Sequence, residues 1–342
     1  MLTLIKPDDF HIHLRDGAYL HTTVPHAARQ FRRAIVMPNL QPPVVTVDMA
    51  LAYRQRILAA LPKGMEFTPL MTLYLTETTT VEEIVKAKQS DAVYAVKLYP
   101  AGATTHSAAG VQKLEKVYPV FEAMEAQDLP LLVHGEVVDH DIDIFDRERI
   151  FIERHLSRIV ETFPNLRIVL EHITTSDAVA FVSASRQGVA ATITPHHLLY
   201  NRNQMLVGGI KPHYYCLPVL KRETSRQALL QAAMSGNPKF FLGTDSAPHA
   251  KGKKEQACGC AGIYNAYTAI ELYATIFQNH GVLEKLENFS SVFGAQFYGL
   301  ERNQETISLI EQAQTVPDQF PFGDEEVIPL AAGETLSWQL VD

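Results

Sequence analysis

Two histidines separated by one residue, His11 and His13, stand near the start of the chain in the run Asp-Asp-Phe-His-Ile-His-Leu-Arg-Asp-Gly. On a β-strand alternate side chains leave the same face, so both imidazoles would point one way, their Cα atoms roughly 6.5–7 Å apart. That separation lets both rings reach one Zn²⁺ at about 2.0–2.1 Å. On a helix the same spacing turns the rings to nearly opposite sides. The pair is therefore a chelate if residues 4–13 form a strand, which Thr3-Leu4-Ile5 allows. Short His-x-His matches also arise by chance, so further ligands have to come from elsewhere in the fold.

The elements that could supply them alternate along the chain. Short β-rich runs cover residues 4–13, 33–38, 67–74, 93–99, 130–134, 167–172, 190–195 and 239–245. Helical patterns fall at 47–60, 80–88, 111–126, 145–162, 176–186, 223–235 and 264–278. Arg167-Ile168-Val169-Leu170-Glu171-His172 is nearly all apolar in the middle, as a parallel strand covered on both faces must be. Eight successive β–α units predict an α/β fold of the closed (β/α)8 TIM-barrel type. No Gly-x-Gly-x-x-Gly follows the first strand, which disfavours a dinucleotide-binding sheet. No linker divides the first 280 or so residues, so 1–342 reads as a single barrel domain. Its irregular, Pro- and acid-richer end at 289–342 is expected as an extension packed outside the barrel.

Composition sets the outer limits. Hydrophobic residues at 46% and charged ones at 20% suit a globular chain with a large core. A net charge of −8 without a long basic stripe speaks against nucleic acid as a partner. Lys251, Lys253 and Lys254 form the one tight basic cluster and read as a solvated loop. No apolar run reaches the roughly 18 residues of a membrane span, and residues 1–10 lack the apolar centre of a signal peptide. Three cysteines, Cys216, Cys258 and Cys260, cannot all pair, which points to free thiols and a cytoplasmic location.

In a barrel of this kind the active site lies at the C-terminal rim of the strands. Strand one ends there in His11 and His13, strand four in Lys97, strand five in His134, strand six in His172 and strand eight in Asp245. A single buried histidine is more often a hydrogen-bonded core residue than a ligand. Five strands delivering N and O donors to one rim change that balance. Four histidines and an aspartate exceed one tetrahedral ion, so either two metals are held or one metal with spare acid–base groups. Lys97 is the odd member, because burial in an apolar strand lowers an amine's pKa. It either pairs with an acid such as Glu136 or, as a neutral amine, reacts with CO₂ to become a carbamate able to bridge two ions.

At this point the motifs show a family resemblance. Asp9-Phe10-His11-Ile12-His13-Leu14-Arg15-Asp16-Gly17 resembles the first signature of the dihydroorotases. Gly243-Thr244-Asp245-Ser246-Ala247-Pro248-His249, followed by Lys254, resembles the second. The resemblance spans the whole chain and is nearest to the compact, single-domain bacterial type of the amidohydrolase superfamily. Phe10 stands where such relatives often carry Trp.

The resemblance implies two Zn²⁺ per subunit, His11, His13 and Asp245 on one, His134 and His172 on the other, with Lys97 as N6-carboxylysine bridging both. It implies reversible conversion of N-carbamoyl-L-aspartate to L-dihydroorotate in de novo pyrimidine (UMP) biosynthesis. A metal-bridging hydroxide would be the nucleophile and Asp245 the general acid/base. Arg15, Asn39 and His249 would hold the substrate carboxylate, and Leu217, Ala247, Ala261 and Gly262 would contact substrate, chiefly through backbone groups. Thr104 and Thr105 would act from a lid formed by residues 100–110. A homodimer is implied as well. Zinc is not distinguished from Co²⁺ or Mn²⁺ by these ligand types.

Two other readings stay open at this level. A hydantoinase- or allantoinase-like cyclic-amide hydrolase would share the metal ligands but has no use for Arg15, Asn39 and His249 together. A catalytically inactive barrel scaffold would be expected to lack some of the six ligand positions. His196 and His197 are adjacent and read as structural.

Overall fold

The computed structural model describes residues 1–341. The chain opens with β1 (Leu2–Ile5) and β2 (Asp8–Ile12), separated by Pro7. Then follow β3 (Arg33–Val36), β4 (Thr68–Tyr74), β5 (Val93–Leu98), β6 (Leu131–Val133), β7 (Ile168–Leu170), β8 (Val189–Ile193) and β9 (Phe240–Leu242). Strands β2 to β9 are parallel neighbours in sequence order. The ring closes where Asp245 N donates to His11 O at 2.8 Å and His13 N donates to Ser246 O at 3.0 Å. The result is the expected (β/α)8 barrel.

Why these segments become strands is visible in their packing. Phe10, Ile35, Met37, Leu70, Ala95, Leu132, Val169, Ala190 and Phe241 fill the barrel interior. Their alternate neighbours, such as Val36, Leu73, Val96, Val133 and Leu170, belong to the core under the helices. Both faces are covered, so the strands must be apolar throughout. Towards the C-terminal rim the inward positions change character. Lys97 and Tyr99 succeed Ala95, His134 succeeds Leu132, and Asp245 follows Phe241 and Gly243 at the same two-residue interval.

The first strand departs from expectation. Residues 4–13 do not form one strand: β1 belongs to a separate antiparallel sheet, in order β1-β10-β13, with β10 (Thr306–Thr315) and β13 (Thr335–Val341). Pro7 lacks the N–H that would continue a ladder. Within β2 the register with β3 slips between Asp9 and Ile12, so three steps on β2 match two on β3. Such a bulge re-aims the side chains beside it. Phe10 therefore stays in the lower barrel while His11 is turned to the rim. The Phe10 ring stacks on Tyr298 at 5.1 Å, away from the histidines.

Two further differences concern helices and tail. A helix over Leu20–Gln30 was not expected, because Pro25 lies inside it. The tail is not irregular: beyond β10 and β13 it holds a hairpin of β11 (Phe320–Phe322) and β12 (Glu325–Val327). Its helix Phe293–Tyr298 seals the N-terminal end of the barrel, with Ala295 and Tyr298 in the interior cluster. Gly294 makes this possible, since a Cβ there would lie 2.1 Å from Cε2 of Phe10.

Candidate active site

His11 and His13 present their Nε2 atoms 3.4 Å apart, and Oδ1 of Asp245 lies 3.4 and 3.1 Å from them. The opposite ring nitrogens are both engaged: Nδ1 of His11 lies 2.9 Å from Oε2 of Glu171, and Nδ1 of His13 lies 2.8 Å from Oδ1 of Asn39. An acceptor on Nδ1 fixes the tautomer and leaves each Nε2 lone pair free. Burial holds His13 down at about 3, so its ring is neutral. Burial opposes the Asp245 carboxylate, yet His11 and His13 keep it well below the usual carboxylate range. His11 is shifted the opposite way from His13: against burial and the nearby Lys97 amine, the Glu171 and Asp245 carboxylates raise its pKa, so a divalent cation would have to displace a proton there.

The second half of the cup is His172 with His134, ring centroids 4.9 Å apart, and His172 is equally close to His11. Nε2 of His134 lies 2.9 Å from Oε2 of Glu136. Nδ1 of His172 is buried and has no hydrogen-bond partner among the described residues. Nor has Nζ of Lys97, a fully buried amine whose pKa burial pulls down to about 8. The alternative pairing of Lys97 with Glu136 is not what the structure shows, since Glu136 turns to His134. Unsatisfied buried donors and acceptors on facing strands fit a site built for ions.

Beside this cup lies a small cavity, about 20 Å³, lined by His11, His13, Arg15, Asn39, Tyr99, Thr104, Thr105, His134, His172, Leu217, Asp245, Ala247, Ala261 and Gly262. All but one of these, Tyr99, were singled out from the sequence. Lys97 sits directly beneath, its Nζ 5.1 Å from the Tyr99 ring centre. His249 does not line the cavity itself but stands behind Arg15, its Nε2 3.0 Å from Nη2 of Arg15, while Nε of Arg15 donates to Pro248 O at 2.8 Å. Gly262 adopts φ +151° between them, where a Cβ would meet Ala247 O at 2.4 Å. Thr105 closes the top: its hydroxyl donates to Ala261 O at 3.4 Å and its carbonyl accepts from Asn39 Nδ2 at 3.2 Å.

Backbone strain collects here. Arg15, His172 and Asp245 have φ of 61°, 41° and 44°, values that cost non-glycine residues of order 1–3 kcal/mol. Positioning residues hold them in place. The buried Asp9 carboxylate accepts from the N–H groups of His11 and Thr244 and from the Thr244 hydroxyl, tying β2 to the end of β9. The Thr192 hydroxyl donates to Glu171 and accepts from His172 N. Sequence reading missed Tyr99, Glu171, Asp9 and Thr192 as parts of the site. The signal available for Glu171 was an acid interrupting an apolar strand just before a histidine, and for Tyr99 its place two residues beyond Lys97 on the same face.

One correction and one further grouping concern residues outside the cup. Lys254 is not solvated but buried. His196, His197 and Cys216 form a second buried group whose ligand atoms lie within 4.8 Å of one another. His197 there is engaged by the Thr194 hydroxyl at 2.8 Å and Pro218 O at 3.0 Å. All three cysteines are free, with only Cys258 exposed. Among the described residues no helix is long and apolar enough to cross a membrane.

Comparison with known proteins bears on this geometry. Residues 1–320 match the Amidohydrolase family. The chain is similar to the dihydroorotase of Nitrosococcus oceani, 61% identical over 341 residues, covering 100% of this chain and 99% of the relative. Among solved structures it resembles the Campylobacter jejuni dihydroorotase, with a TM-score of 0.92 at 37% identity, covering 100% of this chain and 97% of that one. The Saccharomyces cerevisiae dihydroorotase in complex with 5-fluoroorotic acid gives 0.92 at 36% identity, over 99% and 98% of the two chains.

Proposed function

The chain belongs to the dihydroorotases of the amidohydrolase family, and from that premise we propose how its residues interconvert N-carbamoyl-L-aspartate and L-dihydroorotate in pyrimidine biosynthesis. The observation that carries the reading is the meeting of His11 Nε2, His13 Nε2 and Asp245 Oδ1 within 3.4 Å, next to a buried Arg15.

His11, His13 and Asp245 would hold one Zn²⁺, and His134 and His172 a second. Lys97, carboxylated on Nζ, would bridge them. A neutral amine adds to CO₂ and loses one proton, and the depressed pKa of Lys97 favours its neutral form. When bound, the two ions acidify a water and polarise the reacting carbonyl.

The protein's own groups do the rest. Arg15, Asn39 and His249 hold the substrate carboxylate, the planar guanidinium matching its two oxygens. In the hydrolytic direction Asp245 takes the proton of the oxygen that attacks the ring carbonyl. It then delivers that proton to the leaving ring nitrogen. In the biosynthetic direction Asp245 takes the proton of the attacking carbamoyl nitrogen and returns it to the departing oxygen. Leu217, Ala247, Ala261 and Gly262 shape the ring's seat, while Thr104 and Thr105 cover it. Thr105 spans the mouth of the cavity through Ala261 O and Asn39 Nδ2, so this loop lifts for entry.

We read residues 1–342 as one metal-dependent hydrolase domain with 289–342 as its C-terminal extension, supported by the pairing of β10 with β1 and the seat of Phe293–Tyr298 under the barrel. Family membership supports a cytoplasmic homodimer, which light scattering on the purified protein tests. The reading of the site is tested by assaying both directions before and after chelation, with metal analysis. Turnover of L-dihydroorotate that disappears on chelation and returns with Zn²⁺ is expected. No turnover by metal-loaded protein, or full turnover without metal, would overturn it.

A further inference from the structure

Lys254 ends a short basic helix, Lys251–Lys254, yet it points inward and is only 4% exposed. An ammonium is buried at high cost unless its charge and its N–H groups find partners. Here Nζ donates to three main-chain carbonyls: Tyr215 O at 3.1 Å, Cys260 O at 3.0 Å and Gly262 O at 2.5 Å. No carboxylate among the described residues forms an ion pair with it, and the same is true of the buried Arg15. Two buried cations thus share one corner of the site with no carboxylate in direct contact with either, the Asp245 charge reaching Arg15 only from a distance.

The three acceptors come from two separate segments. Tyr215 leads into Leu217, and Cys260 and Gly262 flank Ala261, so the ammonium ties together the two stretches that bring Leu217 and Ala261 to the cavity wall. Gly262 N adds a direct link to Tyr215 O at 3.0 Å. Within this frame the main-chain N–H groups of Leu217 and Ala261 have no acceptor among the described residues. Ala261 is buried, Leu217 is half-buried and both line the cavity, so their N–H groups are open to a ligand that accepts from them.

We propose that Lys254 is a positioning residue for substrate binding. By tying Tyr215 to Cys260 and Gly262, it holds the Leu217 and Ala261 N–H groups beside Arg15, where one carboxylate can accept from both, and it adds a second positive charge to that corner. The inference rests on the function proposed above and deepens it: the pocket selects cyclic amides carrying a carboxylate over the same ring without one.

The test compares metal-loaded wild type with K254M and K254Q in L-dihydroorotate hydrolysis, with orotate as competitive inhibitor. Removing hydrogen bonds made by a charged group is expected to raise KM by about tenfold or more in K254M. The rise should be smaller in K254Q, whose amide keeps two of the donors. Inhibition by orotate should weaken in parallel, while kcat stays within about threefold and metal content is unchanged. An unchanged KM in both variants, or a fall in kcat at constant KM, would overturn the proposal. So would loss of the folded state in both, because Lys254 would then hold the fold rather than the subsite. Failure of wild type itself to turn over dihydroorotate would instead refute the function on which the inference rests.

Discussion

Nδ1 of His11 lies 2.9 Å from Oε2 of Glu171, joining the first barrel strand to the turn that carries His172. The carboxylate is held in turn by the Thr192 hydroxyl. One acid therefore orients His11 and, through its chain neighbour, places His172, the residues proposed to hold the first and the second ion. Replacement by glutamine keeps the shape but weakens the pull on the imidazole proton. Glu171→Gln should lower metal affinity or activity about 10- to 100-fold. Metal content after dialysis against a weak chelator measures it; wild-type retention would refute the role.

The proposed mechanism makes Asp245 both metal ligand and proton carrier. It is held in a left-handed conformation with φ 44° by the bond from its own N–H to His11 O. An asparagine tolerates that backbone but carries no titratable oxygen. Asp245→Asn should reduce kcat by about 10²- to 10⁴-fold in both directions while the protein stays folded. Turnover within a few-fold of wild type would remove Asp245 from the proton path.

How much of this was legible in the chain can be argued from particular residues. The strands bearing Lys97, His134, His172 and Asp245 were readable because burial on both faces demands apolar runs, and the chemistry interrupts those runs. The first strand was misread because Pro7 and the bulge between Asp9 and Ile12 act through missing or shifted ladder bonds, which no period-two count registers. In the tail it is β10 that pairs with Leu2–Ile5 some 300 residues away. Ile307 and Leu309 on β10 and Leu336, Trp338 and Leu340 on β13 alternate as a half-buried strand must, but that period does not say which distant strand they join. Glu171 and Lys254 escaped for a related reason. Their partners lie on other segments, and a lysine that bonds carbonyls has no partner that a charge pattern can reveal.

The loop after β5 is pinned over the cavity by Thr105, through Ala261 O and Asn39 Nδ2. Thr104 adds a main-chain bond to the Ser107 hydroxyl, so the loop has internal shape as well. Replacing Thr104 and Thr105 together by alanine removes the hydroxyls proposed to bond the open-chain substrate. Cyclisation of N-carbamoyl-L-aspartate should fall about tenfold or more, and the protein should remain as stable as wild type. Unaltered kinetics in steady-state assays would exclude the lid role.

Gly262 separates Ala247 from the His249 ring, whose Cδ2 would lie 2.9 Å from an added Cβ. The clash at Ala247 O involves backbone and cannot be relieved by a rotamer change. Gly262→Ala should therefore push His249 and Arg15 apart at a cost of about 1–3 kcal/mol. Because the strain falls on the carboxylate corner, KM for dihydroorotate should rise more than kcat falls. Equal kinetics would show that the corner can give way freely.

Lys254 also makes a pH prediction in which binding and stability move in opposite directions. Burial pulls its ammonium from an ordinary 10.5 down to about 8, so the folded protein releases this proton before the unfolded chain does. Between about pH 8 and 10.5 the unfolded state then binds more protons, and the slope of unfolding free energy with pH from this group is positive. Its desolvation penalty is present in full below pH 8 and fades as pH rises. The cation that biases the carboxylate corner is lost over the same range. Wild-type KM for dihydroorotate should climb from pH 8 to 9, whereas the KM of K254Q should lack that component. In urea unfolding at pH 7.5 and 9.5, wild type should gain stability relative to K254Q. A relative loss would mean that the charged form, not the neutral one, is the form the fold prefers.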